Sequence, residues 1–159
     1  MYRESVQVDI VLKDEIAVVP YKELLSDCCE DVVAPTEKEI AQNVWEFEIG
    51  VAFQIDRDTL PWGIEHWNIS IDGRARSSVW KTGMILSNCI GTIDEDFTGV
   101  AKFIFYHVNT DLPRYKVGDK IAQIKLGFTT LLNFNVVKEL EPRARGEKSY
   151  GSTGLEHKK

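Results

Sequence analysis

The sequence predicts an all-β fold, and three observations indicate it. Apolar and polar residues alternate with a period of two along several segments. Helical periodicity is nearly absent from the chain. Glycine, proline, aspartate and asparagine separate the alternating segments, which is typical of short antiparallel strands joined by turns. Together these features favour an antiparallel barrel or a two-sheet jelly roll.

The predicted strands can be placed in order along the chain. In the first of them, valine and isoleucine alternate with glutamine and aspartate, so one face of the strand is apolar. Two short segments, 21–26 and 37–41, are predicted to form a turn or two of helix, too little to organise a layer. The strands are predicted at residues 6–12, 44–55, 66–71, 101–108 and 120–126, with a last one near 134–137.

The length and composition indicate one domain. The chain has 159 residues, of which 43% are hydrophobic, enough for a single apolar core. Pro142 follows the last predicted strand, and the residues after it are polar and rich in glycine. We therefore expect a folded core over residues 1–140 and a flexible C-terminal tail over residues 141–159.

The charge and the cysteines restrict the classes of partner and compartment. A net charge of −6 disfavours a nucleic-acid surface, which would need a basic stripe. The three cysteines form neither a disulfide framework nor a metal-ligand spacing. The sequence shows no apolar run of membrane-spanning length and no signal-peptide pattern at its start. We expect a cytoplasmic protein that binds neither nucleic acid nor membrane.

The tail carries a pattern suited to a nucleotide triphosphate. Between Arg145 and Gly154 it combines one arginine, one tyrosine, three serine or threonine residues and three glycines. Glycines allow a close approach of the backbone to a ligand, the guanidinium can form a fork on a phosphate, and Tyr150 offers a stacking face. A frayed terminal linker is the alternative on composition alone.

Four further motifs precede this tail in a fixed order. They are Cys29-Glu30-Asp31-Val32, then Arg76-Ser77-Ser78, then the segment 91–99 that contains Asp94, and then 118–123 that ends at Gln123. In this order, and with the tail as the fifth motif, they resemble those of the trimeric deoxyuridine triphosphate nucleotidohydrolases (dUTPases). The resemblance covers residues from about 28 to 154, and the first motif is its weakest part.

The resemblance implies a fold, an assembly and an activity. It implies a jelly roll, or distorted β-barrel, assembled as a homotrimer in which each site draws on three chains and the tail of one closes the pocket. The implied reaction is the Mg²⁺-dependent hydrolysis of dUTP to dUMP and pyrophosphate. Such an enzyme lowers the dUTP level and supplies dUMP for thymidylate synthesis.

The resemblance assigns Asp94 the role of general base. A carboxylate at this position could take a proton from a water aimed at phosphorus. The alternative is a turn aspartate that bonds to its own backbone. The adjacent Glu95 and Asp96 are expected to be solvated turn residues.

The segment 88–97 is expected to be a hairpin that reads the base. In the family, the backbone of this hairpin pairs with the uracil edge, and an aromatic ring packs under the sugar and excludes a ribose hydroxyl. Phe97 stands where the family usually has tyrosine; its alternative is an ordinary core aromatic. The residues assigned to the base and sugar by resemblance are Asn88, Gly91, Thr92, Ile93, Asp94 and Phe97.

The remaining candidates are assigned to the phosphates. Gln123 interrupts an apolar strand, where a polar amide needs a partner, unless it simply faces outward. Lys102 matches a position near the ligand, although strand lysines are usually solvated. The full set expected at the polyphosphate, near the ligand or in the closing tail is Arg76, Ser77, Ser78, Lys102, Gln123, Arg145, Tyr150, Gly151, Ser152 and Thr153.

Mg²⁺ is the expected metal, held mainly by the phosphate oxygens of the substrate. The three histidines, His66, His107 and His157, are too dispersed for a transition-metal site. Asp31 matches the aspartate of the first family motif and is expected to assist the metal indirectly, through water. Glu30 is a possible competitor for that role.

Two other functions are open to a chain of this kind. A related deoxycytidine triphosphate deaminase shares the fold and the Arg-Ser-Ser segment, but the alignment places Ile104 where that enzyme needs an acid–base glutamate. The second alternative is a jelly-roll protein that binds a nucleotide without hydrolysing it and acts as a sensor or regulatory module. Asp94 and Arg145 argue against such a binder.

Overall fold

The structure is a computed structural model that describes residues 5–144 and 146. Within these residues it has ten β-strands, two short 3-10 helices and no α-helix. The 3-10 helices span Arg57–Thr59 and Ser77–Thr82. The strands are β1 Val8–Leu12, β2 Glu30–Val33, β3 Lys38–Ala41, β4 Val44–Glu48, β5 Val51–Ile55, β6 Asn68–Ala75, β7 Met84–Leu86, β8 Ile90–Asp94, β9 Lys102–His107 and β10 Lys120–Thr129.

The strands form three antiparallel sheets. Four of them pair in the order β2-β10-β6-β8, four more in the order β3-β4-β9-β7, and β1 pairs with β5. The predicted all-β class is therefore confirmed. In the first sheet, β10 lies between β2 and β6, so chain segments far apart in the sequence become neighbours across three strands.

Three aromatic rings lie at the centre of the core. Phe47 on β4 and Phe105 on β9 are fully buried, and Tyr115 is nearly so. Their rings meet edge to face, with centroids 5.5 to 6.4 Å apart, a favoured geometry for aromatic pairs. The inward side of β5 adds Val51, Phe53 and Ile55, so the core joins all three sheets.

The single strand predicted over residues 44–55 is wrong, because the structure divides it at Gly50 into β4 and β5. Gly50 has φ +67, and an added Cβ there would lie 2.7 Å from the Cβ of Ala17. Both the left-handed backbone and the close approach require glycine. Apolar and polar residues alternate on both sides of Gly50, so periodicity alone did not indicate the break between the two strands.

Three other local predictions fail. Residues 37–41 supply strand β3, which is joined to β4 by a tight turn with Asn43 at φ +59. Residues 21–26 contain turns and a single bridge from Tyr21 to Asp31, with no helix. The strand expected near 134–137 is absent, and this segment is irregular and exposed, with Phe134 84% and Val136 97% accessible.

We expect Gly73→Ala to destabilise the core that supports the site. Gly73 lies on β6, and an added Cβ would lie 2.3 Å from Cε1 of the buried Phe103 ring. Overpacking of this kind costs about 1–3 kcal/mol of unfolding free energy. Chemical denaturation of wild type and Gly73→Ala measures this cost. A Gly73→Ala variant as stable as wild type would show that Phe103 can move aside.

Candidate functional site

One pocket brings together three of the predicted site residues. It has a volume of about 360 Å³ and includes Asp31 from β2, Arg76 at the end of β6 and Gln123 from β10. The sheet register explains this convergence, because Gln123 pairs with Asp31 on one side and with Arg74 on the other. The other lining residues are Tyr21, Lys22, Glu23, Asp27, Cys28 and Cys29.

Arg76 and Asp31 form a forked ion pair inside this pocket. The Nε and Nη2 atoms of Arg76 donate to the two carboxylate oxygens of Asp31 at 2.9 and 3.2 Å. Lys120 contributes a second cation, with Nζ 3.3 Å from Oδ2 of Asp31. Both oxygens of Asp31 thus contact cations, and the pair fixes the guanidinium beside the pocket.

Lys120 is a pocket residue that the sequence analysis missed. Its ammonium contacts Glu23 and lies 4.8 Å from the centre of the Tyr21 ring. Glu23, followed by Tyr21 and Asp31, raises the pKa of Lys120 above its usual value, so the ammonium stays charged. Its position within the motif 118–123 was the available signal, but that motif alone did not indicate which way the side chain points.

Gln123 is half-buried and faces the first pocket. Its Nε2 lies 3.5 Å from the main-chain oxygen of Ala75, at the limit of a hydrogen bond. The amide is therefore weakly held and can reorient towards an anionic ligand.

The two serines of the Arg-Ser-Ser motif begin the second 3-10 helix. Arg76 stands at its N-cap and Ser77 is exposed in its first turn. Ser78 lines a second pocket of about 500 Å³, which shares Arg76 with the first. The cations Lys81, Arg114 and Lys120 also line this second pocket, together with Asp119.

A third pocket, of about 280 Å³, surrounds Asp94. Asp94 ends β8 and is exposed, and its main-chain oxygen accepts a hydrogen bond of 3.0 Å from the N–H of Phe97. The pocket brings together five predicted residues and two others, namely Thr92, Ile93, Asp94, Phe97 and Lys102 with Val100 and Ala101.

The predicted hairpin over 88–97 has a different form. Strand β8 pairs with β6, and a turn closed between Asp94 and Phe97 follows it. At the other end of β8, the side chain of Asn88 lies against Gly91, where an added Cβ would be 3.1 Å from Nδ2. Asn88 and Gly91 therefore lie together at the entry to β8, whereas Asp94 and Phe97 lie at its exit.

Phe97 is a surface ring. It is 48% accessible and lies over Gly99, where an added Cβ would be 2.6 Å from Cζ of the ring. The alternative of a core aromatic is excluded, because the ring faces the third pocket. Its exposure leaves one face free for a ligand.

Lys102 is held by two carboxylates of the neighbouring strand. Its Nζ lies 2.5 Å from Glu48 and 3.4 Å from Glu46. The hydrogen bond that Lys102 donates to Glu48 raises the pKa of Lys102. The lysine therefore lines the third pocket as a charged group that already has partners.

Glu95 is ion-paired, and the expectation of a solvated turn residue is wrong. Both of its carboxylate oxygens accept from Nη1 of Arg57, at 2.7 and 2.5 Å. Arg57 carried no sequence signal, because a contact across 38 positions depends on the fold.

The Asp94 pocket and the Arg76 pocket lie far apart in a single chain. Asp94 is in register with Ser70 on β6, and Arg76 follows six positions later along the same strand direction. At 3.2–3.4 Å per residue this is a separation of about 20 Å. One chain therefore cannot place Asp94 beside a phosphate held by its own Arg76.

Several predicted features fall outside the described residues. They are the tail residues Arg145, Tyr150, Gly151, Ser152 and Thr153. Within the described residues, no group of three or more histidine, cysteine, aspartate or glutamate side chains could hold a metal ion. No helix in the same part of the chain is long and apolar enough to cross a membrane.

Comparison with known proteins identifies relatives of the chain. The family model described as dUTPase matches residues 70–154. A deoxyuridine 5'-triphosphate nucleotidohydrolase of Zymomonas mobilis is 33% identical over 126 residues, covering 79% of this chain and 80% of the relative. The enzyme of that name from Corynebacterium glutamicum is 30% identical over 149 residues, covering 92% of this chain and 94% of the relative.

Solved structures share the fold. A mutant dUTPase of Staphylococcus bacteriophage 80alpha, with dUpNHpp, has a TM-score of 0.73 and 20% identity, covering 94% of this chain and 99% of the phage chain. A mutant dUTPase from phage phi11 of S. aureus, which shows the coordination of a structural Mg(II) ion, has a TM-score of 0.64 and 18% identity. That match covers 86% of this chain and 99% of the phage chain.

Proposed function

We propose that this chain, which belongs to the dUTPase family, hydrolyses dUTP to dUMP and pyrophosphate. The structural observation that carries the proposal is the convergence of Asp31 on β2, Gln123 on β10 and Arg76 directly after β6 in one polar pocket. A guanidinium and an amide beside a cavity suit a polyphosphate. In the cytoplasm, this activity would lower dUTP and supply dUMP for thymidylate synthesis.

Asp94 acts as the general base of the proposed reaction. Its exposed carboxylate takes a proton from a water molecule, whose oxygen attacks the α-phosphorus in line. The new bond joins this oxygen to the α-phosphorus, and the bond from the α-phosphorus to the bridging oxygen breaks. Pyrophosphate leaves with that oxygen, and dUMP remains.

The first pocket holds the phosphates during this step. Arg76, Ser77 and Gln123 spread the developing negative charge, and Arg145 of the tail adds a further fork. Ser78 and Lys120 extend the polar wall around Arg76. To grip a phosphate fully, Arg76 must share its donors between the substrate and Asp31.

The proposed active site is shared between the chains of a homotrimer. The separation of about 20 Å along β6 between the position of Asp94 and Arg76 supports this sharing. Exposed apolar side chains at the end of the described chain, among them Leu131, Phe134 and Val136, offer surface that an assembly could bury. The tail of one chain closes over the pocket formed by the other two, with Gly151, Ser152 and Thr153 near the phosphates.

The uracil base of the substrate is proposed to bind in the third pocket. The backbone of β8 at Thr92 and Ile93 is proposed to pair with the uracil edge, with Asn88 and Gly91 shaping its start. The free face of Phe97 packs under the sugar, and Tyr150 stacks on the base. Lys102 lines this pocket and is proposed to lie near the ligand.

Mg²⁺ is the proposed cofactor, and the residues present fit it only indirectly. The first pocket offers Asp31, but both of its oxygens already contact cations, so an interaction through water fits better than direct coordination. Mg²⁺ readily keeps several waters and binds substrate phosphates. When bound, it would supply positive charge for the phosphate oxygens.

Pyrophosphate release with four nucleotides tests the proposal. We expect rapid release from dUTP, strong discrimination against dTTP, dCTP and UTP, and loss of activity when EDTA removes Mg²⁺. Ammonia release from dCTP would instead indicate a deaminase, although Ile104 on β9 provides no acid–base group. Tight binding of dUTP without any product would indicate a non-hydrolysing nucleotide-binding protein.

A further inference from the structure

We propose that Arg57 positions the carboxylate of Asp94, through its ion pair with Glu95, the next residue in the chain. The inference rests on the proposed function and adds a positioning residue to it. Arg57 lies outside the motifs of the sequence analysis and outside the matched segment 70–154. It is anchored on a different part of the chain from the turn that it holds.

The guanidinium of Arg57 joins two segments. Its Nη1 donates to both carboxylate oxygens of Glu95. Its Nη2 donates to the main-chain oxygens of Glu65 and Trp67, at 2.8 and 3.0 Å. The planar fork of an arginine can satisfy all these acceptors at once, whereas the ammonium of a lysine cannot reproduce this fixed geometry.

The main chain of Arg57 is itself fixed. Asp56 caps the short 3-10 helix, with its side chain accepting from the N–H of Asp58. The N–H of Asp56 donates to the oxygen of Gln7, and the N–H of Gln7 donates to Oγ1 of Thr59. The 3-10 helix that carries Arg57 is therefore hydrogen-bonded near both of its ends to Gln7, the residue before β1.

Glu95 links the fixed Arg57 side chain to the catalytic candidate Asp94. It follows Asp94 directly in the chain and lies inside the turn closed by the N–H of Phe97 and the oxygen of Asp94. Beyond this turn, the ladder between β8 and β6 ends at Asp94, so the sheet no longer fixes the backbone there. Directly after Asp94, the ion pair between Arg57 and Glu95 holds the chain in place of the sheet.

This arrangement predicts an effect on the rate more than on affinity. The backbone of β8 that would read the base is held by the β6 ladder and does not depend on Arg57. The carboxylate of Asp94 does depend on the turn, and a displacement of about 1 Å at a catalytic group can cost ~10²-fold in rate.

The test compares Arg57→Gln, Glu95→Gln and the double variant with wild type. Single-turnover rate constants for dUTP, dissociation constants for the non-hydrolysable analogue dUpNHpp and thermal unfolding are measured for each. We expect each single variant to lose about 10-fold or more in rate with an analogue affinity within about 3-fold of wild type. The double variant should be no slower than the singles, because both changes remove one interaction.

Two further variants serve as controls. Asp58→Asn lies in the same 3-10 helix, is exposed and should behave as wild type. Arg57→Lys keeps the charge but not the fork, so it should fold and give an intermediate rate; it also carries the test if Arg57→Gln does not fold.

The possible results separate this inference from the proposed function. A wild-type rate in Arg57→Gln, additive losses in the double variant, or equal losses of rate and analogue affinity would each overturn the positioning role. Failure of the unaltered protein to hydrolyse dUTP would instead overturn the proposed function.

Discussion

Asp94→Asn is expected to abolish turnover of dUTP while binding survives. The amide keeps the size of the side chain and one hydrogen-bonding oxygen, but it has no proton affinity for the attacking water. Loss of a general base of this kind costs about 10²- to 10⁴-fold in rate. Single-turnover hydrolysis and the affinity for dUpNHpp measure the two effects separately.

The same turn offers a matched control for this experiment. Asp96 is exposed two positions after Asp94, so Asp96→Asn changes the local charge equally. We expect Asp96→Asn to retain nearly full activity. Equal losses in both variants would attribute the effect to charge alone, and a wild-type rate in Asp94→Asn would remove Asp94 from the mechanism.

Arg76→Ala should lower kcat/KM for dUTP by about 10²-fold or more, because it removes the charged fork from the phosphate pocket. Arg76→Lys should fall between Arg76→Ala and wild type, since it keeps the charge without the fork. The fold should persist, because Lys120 still contacts Asp31 after Arg76 is lost. Steady-state kinetics together with thermal unfolding check both statements.

A folded Arg76→Ala variant with full kcat/KM would show that the phosphates bind elsewhere. The second pocket, with Lys81, Arg114 and Lys120, would then be the next place to seek them. Loss of folding in Arg76→Ala but not in Arg76→Lys would indicate that the pair with Asp31 is mainly structural.

The alternation of residues predicted the fold class correctly because several strands, among them β6, β7 and β9, alternate between buried and more accessible residues. It failed where short-range pattern does not decide the structure. Gly50 breaks a continuous alternation through its backbone conformation, and residues 37–41 become a strand only because β4 provides a partner. Tertiary context overrides local propensity at both places.

The motifs indicated which residues to consider but not how they are arranged. The sequence could not show that Asp31 is held by Arg76, since 45 positions separate them and the register of β2, β10 and β6 brings them together. Nor could it show that Phe97 is a surface ring or that Arg57 reaches Glu95. These contacts join residues that lie far apart in the sequence and meet only in the folded protein.

The distance of about 20 Å between the position of Asp94 and Arg76 along β6 has a genetic consequence. In the proposed trimer, each site combines Asp94 from one chain with Arg76 from another. An allele that inactivates Asp94 and an allele that inactivates Arg76 therefore damage different halves of a site. Chains of both kinds, co-expressed in equal amounts, would assemble about a quarter of their sites from two undamaged halves. Two alleles that each give an inactive protein alone would thus complement one another within a single gene.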